Sequence, residues 1–577
     1  MDKDYQSIAY DYRRSDDEDG APARHPVVIV GAGPVGLATA IDLAQQGVRV
    51  VLLDDDCRLS VGSRAICFAK RTLEIFDRLG CGERIAQKGV SWNVGKVFYR
   101  DDMVYSFDLL PESGHRRPAF VNLQQYYVEG YLLDRALELP NIEVRWHNEV
   151  VGLVPYADHV ALTVHTPSGT HTLLADYVVA ADGARSEVRS LCGLESKGRT
   201  FQDRFLIADV KMKAEFPTER WFWFDPPFHR NQSVLLHRQP DNVWRVDFQL
   251  GWDADPVAEK LPENVVPRLT ALLGDDVEFA LEWVSVYTFS CQRMDKFRHG
   301  RVLFAGDAAH RVSPFGARGA NSGVQDAENL AWKLKLVIDG KAPDALLDSY
   351  ADEREYAADE NLLNSTRATD FITPKSAVSR TFRDATLRLS KQYGFARELV
   401  NSGRLSRPAT LHGSALNTPD QDQFGGNMVP GAPVDDAPVT RNGAPGWFTA
   451  CVGNRFTGVY FHDAGQPLDA LRRELMALRD GAIGVKPLLV VGAGVAAPAL
   501  DGIDIIGDSE GLLAQRFDAR PGSYYLLRPD QHVCARWRAF EPARVQAALL
   551  RATGNSADTA ATAATPTIAE STACPAH

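Results

Sequence analysis

The chain has 577 residues, 45% hydrophobic and 24% charged, with a formal net charge of −12. This length holds about two to four domains of ordinary globular composition, and the acidic balance argues against nucleic acid or anionic membrane as a partner, since both call for a basic face. No apolar run reaches the length of a membrane span and the N-terminus is too polar for a signal peptide, so a cytoplasmic location is expected.

Residues 1–25 are polar and acidic and read as a disordered arm, with Tyr5, Tyr10 and Tyr12 as the groups able to pin part of it. An apolar strand at 27–30 runs into Gly31-Ala32-Gly33-Pro34-Val35-Gly36, then a helical pattern to Gln46 and a second strand ending at Asp54. Strand, glycine turn, helix, strand and acid stand in the order of a dinucleotide site. The glycines supply a tight turn, close approach of a pyrophosphate and helix–strand packing, and the acid can bind a ribose hydroxyl. Gly62-Ser63-Arg64-Ala65 precedes a helix at 70–79, residues 92–112 alternate like exposed strands, and Gln124-Gln125 opens a helix to Leu139. Strands at 142–146, 149–154 and 160–165, with a turn at Pro167-Ser168-Gly169, lead to an apolar strand that ends in Asp182-Gly183-Ala184-Arg185-Ser186.

Residues 195–298 alternate as an antiparallel sheet and are dense in aromatics, most of them packing groups. A short apolar strand at 302–305 then breaks at Gly306-Asp307. The loop that follows carries Pro314, Gly316 and Gly319, and a helix begins near Asn321. Free N–H groups at such a helix start favour an anion, and the Asp307 carboxylate can accept hydrogen bonds from ligand hydroxyls. A charged helix at 346–364 continues to about 403. Residues 404–440, rich in Pro, Gly, Asn and Asp, read as a linker; 441–552 as a small α/β unit; and 553–577 as a disordered Ala/Thr tail. Eight cysteines lie scattered without a Cys-x-x-Cys pair, so neither a metal site nor a disulfide framework is expected.

The glycine loop, the strand ending in Asp182-Gly183 and the Gly306–Asn321 loop together resemble the fingerprints of FAD-dependent aromatic hydroxylases, the single-component flavoprotein monooxygenases, in their phenol hydroxylase and 3-(3-hydroxyphenyl)propionate hydroxylase-like branch. The resemblance implies an α/β (α+β) fold with a Rossmann-like FAD-binding domain at 26–194 and 299–403. It further implies an inserted antiparallel-sheet substrate domain at 195–298, with 92–123 contributing to that region, and a C-terminal thioredoxin-like domain at 441–552 without a redox cysteine pair. By the same resemblance Arg64 and Asp182 lie at the FAD pyrophosphate, and Gln125 and Asp307, after Gly306, at the ribityl chain. Gly316, Gly319, Ala320 and Asn321 then face the pyrimidine edge of the flavin, Arg318 stabilises charge on the reduced flavin, and the Pro314 carbonyl faces a substrate hydroxyl. Ile66 departs from relatives that carry His or Asp there, which weakens transfer of their substrate preference.

The implied activity is hydroxylation of a phenolic ring with NADH or NADPH and O2. Oxygen adds at C4a of reduced FAD, and the nicotinamide binds transiently because no second nucleotide domain is visible. A phenol must lose or share its proton, and His237, Asp247 and His310 are candidate acceptors, with Arg245 as a charge stabiliser. A same-fold enzyme carrying out epoxidation or Baeyer–Villiger chemistry on a polyketide-like ring, or an FAD-bearing interaction module, are the alternative readings. Oligomeric state, a homodimer included, stays open.

Overall fold

The computed structural model describes residues 4–60, 62, 65–214, 216–400 and 406–556. Arg64 and the tail from 557 lie outside these residues.

Val27, Val28 and Ile29 are fully buried, the continuous apolar run of a strand covered on both faces. Their strand, Arg24–Val30, lies between Gly169–Ala180 and Val50–Asp54 and is parallel to both. Val302–Phe304 extends the sheet on one side and Ile142–Trp146 on the other, again in parallel. The register pairs Val30 with Ala180 and Ala180 with Phe304. Three strands therefore end at one level, which sets Gly31, Asp182 and Gly306-Asp307 side by side in the crevice beyond the carboxyl ends.

A second sheet runs in the order His310–Arg311, Phe279–Met294, Ser196–Met212, Val243–Leu250, Ser233–Arg238, Arg220–Phe224, Val94–Tyr99, Asp102–Asp108. It is antiparallel except where Arg220–Phe224 pairs with Val94–Tyr99. Side chains alternate between faces, and the pairings Ile207–Asp247, Leu235–Asp247 and His237–Arg245 collect these residues on one face.

The third sheet holds a parallel trio, Phe456–Phe461, Val485–Gly492 and Asp504–Asp508, followed by a hairpin, Tyr524–Leu527 with Val533–Trp537. Helix Leu468–Arg479 joins the first two strands and helix Pro542–Ala552 follows the hairpin. Each described cysteine is free. Among the described residues no helix is long and apolar enough to cross a membrane, and no group of three or more ligand-type side chains could hold a metal ion.

Two segments, read from composition as a disordered arm and a linker, carry packed anchors in the structure. The N-terminal arm is pinned to the body at several points from Tyr5 onward. Tyr5 is 1% exposed and donates to Asp134 at 2.6 Å, Tyr10 stacks on Trp146 at 4.7 Å, and Ser15 caps a short turn. Two aromatic rings, Tyr5 and Tyr10, outweigh the polar composition between them. The 404–440 segment is, over its described residues, a strap rather than a free linker: Leu411, Leu416, Met428 and Val434 are buried, and Asp420 pairs with Arg536 at 2.6 Å.

Candidate functional site

A cavity of about 800 Å³ opens along the carboxyl ends of the first sheet and runs under the second. At one end Gly31, Ala32, Gly33, Pro34 and Val35 form its wall, while Gly36 is buried behind them. Gly31 has φ +104, and a Cβ there would meet the Ala181 carbonyl oxygen at 2.5 Å, so the loop lies directly on the Asp182 turn. Around Gly33 there is nothing within 4 Å of an added Cβ. That open cradle sits at the N-terminus of helix Pro34–Gln45, where backbone N–H groups await an anion.

Asp54 lines the cavity and accepts the Ala32 N–H at 2.6 Å, and burial raises its pKa to about 6. Asp182 accepts the Val188 N–H with one oxygen, while the other is buried without a partner; burial raises its pKa too. Gln125 accepts the Ala65 N–H at 3.0 Å and donates to Glu129 at 2.8 Å, and Glu129 in turn holds Ser60, so this trio fixes the rim. A glycine cradle at a helix N-terminus, carboxylates beside it and an orphaned buried carboxylate oxygen fit a ligand with a diphosphate and sugar hydroxyls. FAD matches that donor set.

At the other end Gly306 and Asp307 line the cavity. The Gly306 turn (φ +61) is held by Asp326, which accepts the Gly306 N–H at 2.9 Å, His310 Nε2 at 2.6 Å and Arg354 Nε at 2.6 Å. This corrects the expectation for His310. It is 2% exposed, stacked on Phe297, and absent from the cavity wall, so it positions the turn and is not poised over a substrate. The Pro314 carbonyl accepts the Ala317 N–H at 3.0 Å, closing a turn in which Gly316 has φ +107. Pro314, Arg318, Gly319, Ala320 and Asn321 line the cavity, while Gly316 faces a smaller neighbouring chamber. The Asn321 side chain accepts the Ala69 N–H at 2.8 Å and donates to the Cys67 carbonyl at 2.9 Å. Its amide thus pins strand Cys67–Ala69 to the helix Gly319–Ile338 rather than reaching into the cavity.

The inner part of the cavity carries Cys67, Arg220, His237, Arg245 and Asp247 among apolar groups such as Ile207 and Leu235. Arg245 makes two 2.8 Å hydrogen bonds to Asp209. His237 Nε2 lies 4.0 Å from Asp247 Oδ2, and its Nδ1 lies 3.9 Å from the Cys67 sulfur. Burial, with Arg220 and Arg245 nearby, holds His237 well below the usual imidazole range, so it is neutral. Burial raises the Asp247 pKa to about 6 against the pull of Arg245, and its Oδ1 has no hydrogen-bond partner. Arg220 lies in strand Arg220–Phe224, where no loop signature marks it. The signal available was alternation: Arg220, Phe222 and Phe224 share one face of their strand.

Residues 24–365, more than half of the chain, match the family model described as FAD binding domain. A flavin-dependent monooxygenase of Mycobacteroides abscessus is 33% identical over 349 residues, 57% of this chain and 70% of the relative. The 3-(3-hydroxy-phenyl)propionate/3-hydroxycinnamic acid hydroxylase of Shigella sonnei is 28% identical over 520 residues, 88% of this chain and 91% of the relative. Among solved structures, the flavin-dependent monooxygenase PieE in complex with FAD and substrate superposes with a TM-score of 0.75 at 22% identity, covering 93% of this chain and 100% of that one. The architecture is shared with that enzyme, and the sequence relation is carried by the family match and the two relatives. The chain belongs to the FAD binding domain family and is an FAD-dependent monooxygenase of the aromatic hydroxylase class.

Proposed function

We propose that the chain hydroxylates a phenolic ring, using NADH or NADPH as a transient reductant and O2 as the oxygen source. The observation that carries this reading is the single cavity that joins the glycine loop to a buried pocket with two proton acceptors, His237 and Asp247. Bound FAD supplies the redox and oxygen chemistry. In this reading Gly31, Gly33 and the helix start behind them hold the diphosphate; Asp54, Asp182, Gln125 and Asp307 take its hydroxyl groups; and Arg318 with the helix N-terminus at Gly319 faces the flavin. The substrate domain is the second sheet, whose buried face sets Ile207 and Leu235 beside His237, Arg245 and Asp247 and keeps water from the reacting ring.

Asp247 is the stronger candidate for the phenol proton. An acceptor works best with a pKa near the working pH, and a carboxyl at about 6 is ionised at neutrality while still basic enough to share a proton. His237, neutral and 4.0 Å away, stands ready to relay it. Because Asp247 acts in its ionised form, kcat/KM rises with pH through about 6 and is lost below it. Asp247→Asn removes that acid limb and lowers kcat/KM by about 10²- to 10⁴-fold at unchanged FAD content. An acid limb that survives the substitution assigns the proton elsewhere.

The reading itself is tested by anaerobic bleaching of the flavin with NADH and with NADPH across a panel of phenols and phenolic acids. A phenol that speeds bleaching by orders of magnitude, and is oxygenated on readmission of air, supports it. Slow bleaching with every phenol, alongside acceleration by a fused-ring compound, replaces it with the polyketide-like alternative.

A further inference from the structure

Behind the inner pocket lies a second chamber of about 60 Å³, room for roughly four or five water-sized groups. Arg220, Phe315 and Arg318 line both cavities and so form the partition between them. The far walls are apolar, with Phe222, Phe224 and Ile372, and no carboxylate lines the chamber among the described residues. Lys96, also on the wall, is already matched to Glu219 at 2.7 Å.

Arg220 is not matched. It is 8% exposed, its Nε is buried without a hydrogen-bond partner, and no ion pair forms to it among the described residues. Burial pushes its pKa down, with Cys67 and Asp247 opposing. A buried guanidinium left alone is costly, and its planar fork fits a carboxylate through two parallel hydrogen bonds. An anion arriving with the substrate would supply what the fold leaves out.

We propose that this chamber is a subsite for an anionic substrate tail: the aryl ring lies in the large cavity, and a carboxylate on a short carbon chain reaches the partition and pairs with Arg220. This rests on the hydroxylase reading above and makes Arg220 the residue that selects phenolic acids over uncharged phenols of equal size.

The test compares 3-(3-hydroxyphenyl)propionate with its primary amide, which differs in charge but hardly in shape, on the FAD-loaded enzyme. Dissociation constants come from anaerobic titration of the flavin absorbance, and kcat/KM from oxygen uptake. The wild-type protein binds the acid roughly 10- to 100-fold more tightly than the amide, the range for a hydrogen-bonded charge. Arg220→Gln collapses that ratio toward one, and Arg220→Lys restores part of it. A wild-type ratio near one overturns the proposal without any variant, and a ratio unchanged in a folded, FAD-loaded Arg220→Gln overturns it as well. The two readings fail separately. If acid and amide are hydroxylated equally well, the subsite falls and hydroxylation stands. If neither is hydroxylated yet the acid still perturbs the flavin spectrum far more tightly, the subsite stands and phenol hydroxylation falls.

Discussion

Glu353→Gln lowers the thermal midpoint of the C-terminal part of the molecule by roughly 10 °C. Glu353 is 3% exposed and is the hub of a buried charge network. It accepts Arg528 through both oxygens at 2.6 and 2.9 Å, and also Lys333 and Asn329, each at 2.7 Å. Burial alone would raise its carboxyl, but Arg528 and Lys333 hold it well below the usual carboxylate range. Arg528 belongs to the turn after strand Tyr524–Leu527. Asp530, in the same turn, takes Trp332 Nε1 at 3.0 Å, and Gln531 takes Arg71 Nη1 at 2.8 Å. One turn of the C-terminal unit is therefore plugged into helices Lys70–Leu79, Gly319–Ile338 and Asp348–Ile372.

Removing one member of such a set leaves the others charged and dry, a cost of about 3–5 kcal/mol, and a unit of this size loses about 2–4 °C per kcal/mol. Lys333 limits the damage. Burial, partly offset by Glu353, already lowers its pKa to about 8, and without Glu353 it falls further. In that range the unfolded state binds the extra proton, so raising the pH favours the folded variant, and the gap to wild type narrows between neutrality and roughly pH 9. Thermal scans read by circular dichroism and flavin fluorescence at the two pH values check both parts. A shift under about 1 kcal/mol would mean that apolar packing, not this network, seats the C-terminal unit. Because Asn329, Trp332 and Lys333 sit on the helix whose first turn lines the large cavity, loosening the turn is expected also to weaken FAD retention.

The parts legible in the sequence were those with local grammar. The run Val27–Val30 followed by spaced glycines, and the breaks at Asp182-Gly183 and Gly306-Asp307, each carry their turn chemistry within a few residues, and parallel registry then brings them together. Side-chain roles were less legible, because they depend on partners far along the chain. Asn321 lies on the cavity wall, yet its amide is taken by the backbone of Cys67 and Ala69. His310 follows the Gly-Asp motif closely, yet Asp326 claims it. Arg220 carries no motif, and only its buried Nε, left without a hydrogen-bond partner after folding, draws attention to it. Composition misled in the arm and the strap for a related reason. An average over twenty or more residues hides a few anchors, such as Tyr5 and Tyr10 in one and Leu411 and Leu416 in the other.

Gly33→Ala and Gly36→Ala, three residues apart, separate the two demands on the glycine loop. A Cβ on Gly33 meets nothing within 4 Å, and the residue caps its helix with φ −73, which alanine adopts freely. The apoprotein of Gly33→Ala therefore unfolds at the wild-type temperature. Its methyl group points into the open space that the proposed function assigns to the diphosphate, and overpacking there is expected to cost about 1–3 kcal/mol of FAD affinity, up to roughly a hundredfold in Kd. A Cβ on Gly36 would stand 1.9 Å from the Gly31 carbonyl oxygen, a contact with backbone that no rotamer relieves. Helix and loop must part, so Gly36→Ala destabilises the apoprotein itself and loses FAD as a consequence. Apoprotein melting and FAD titration of both variants tell these apart. If Gly33→Ala binds FAD like wild type, the diphosphate does not lie against this loop. If it melts early while Gly36→Ala does not, the assignment of the two glycines is reversed.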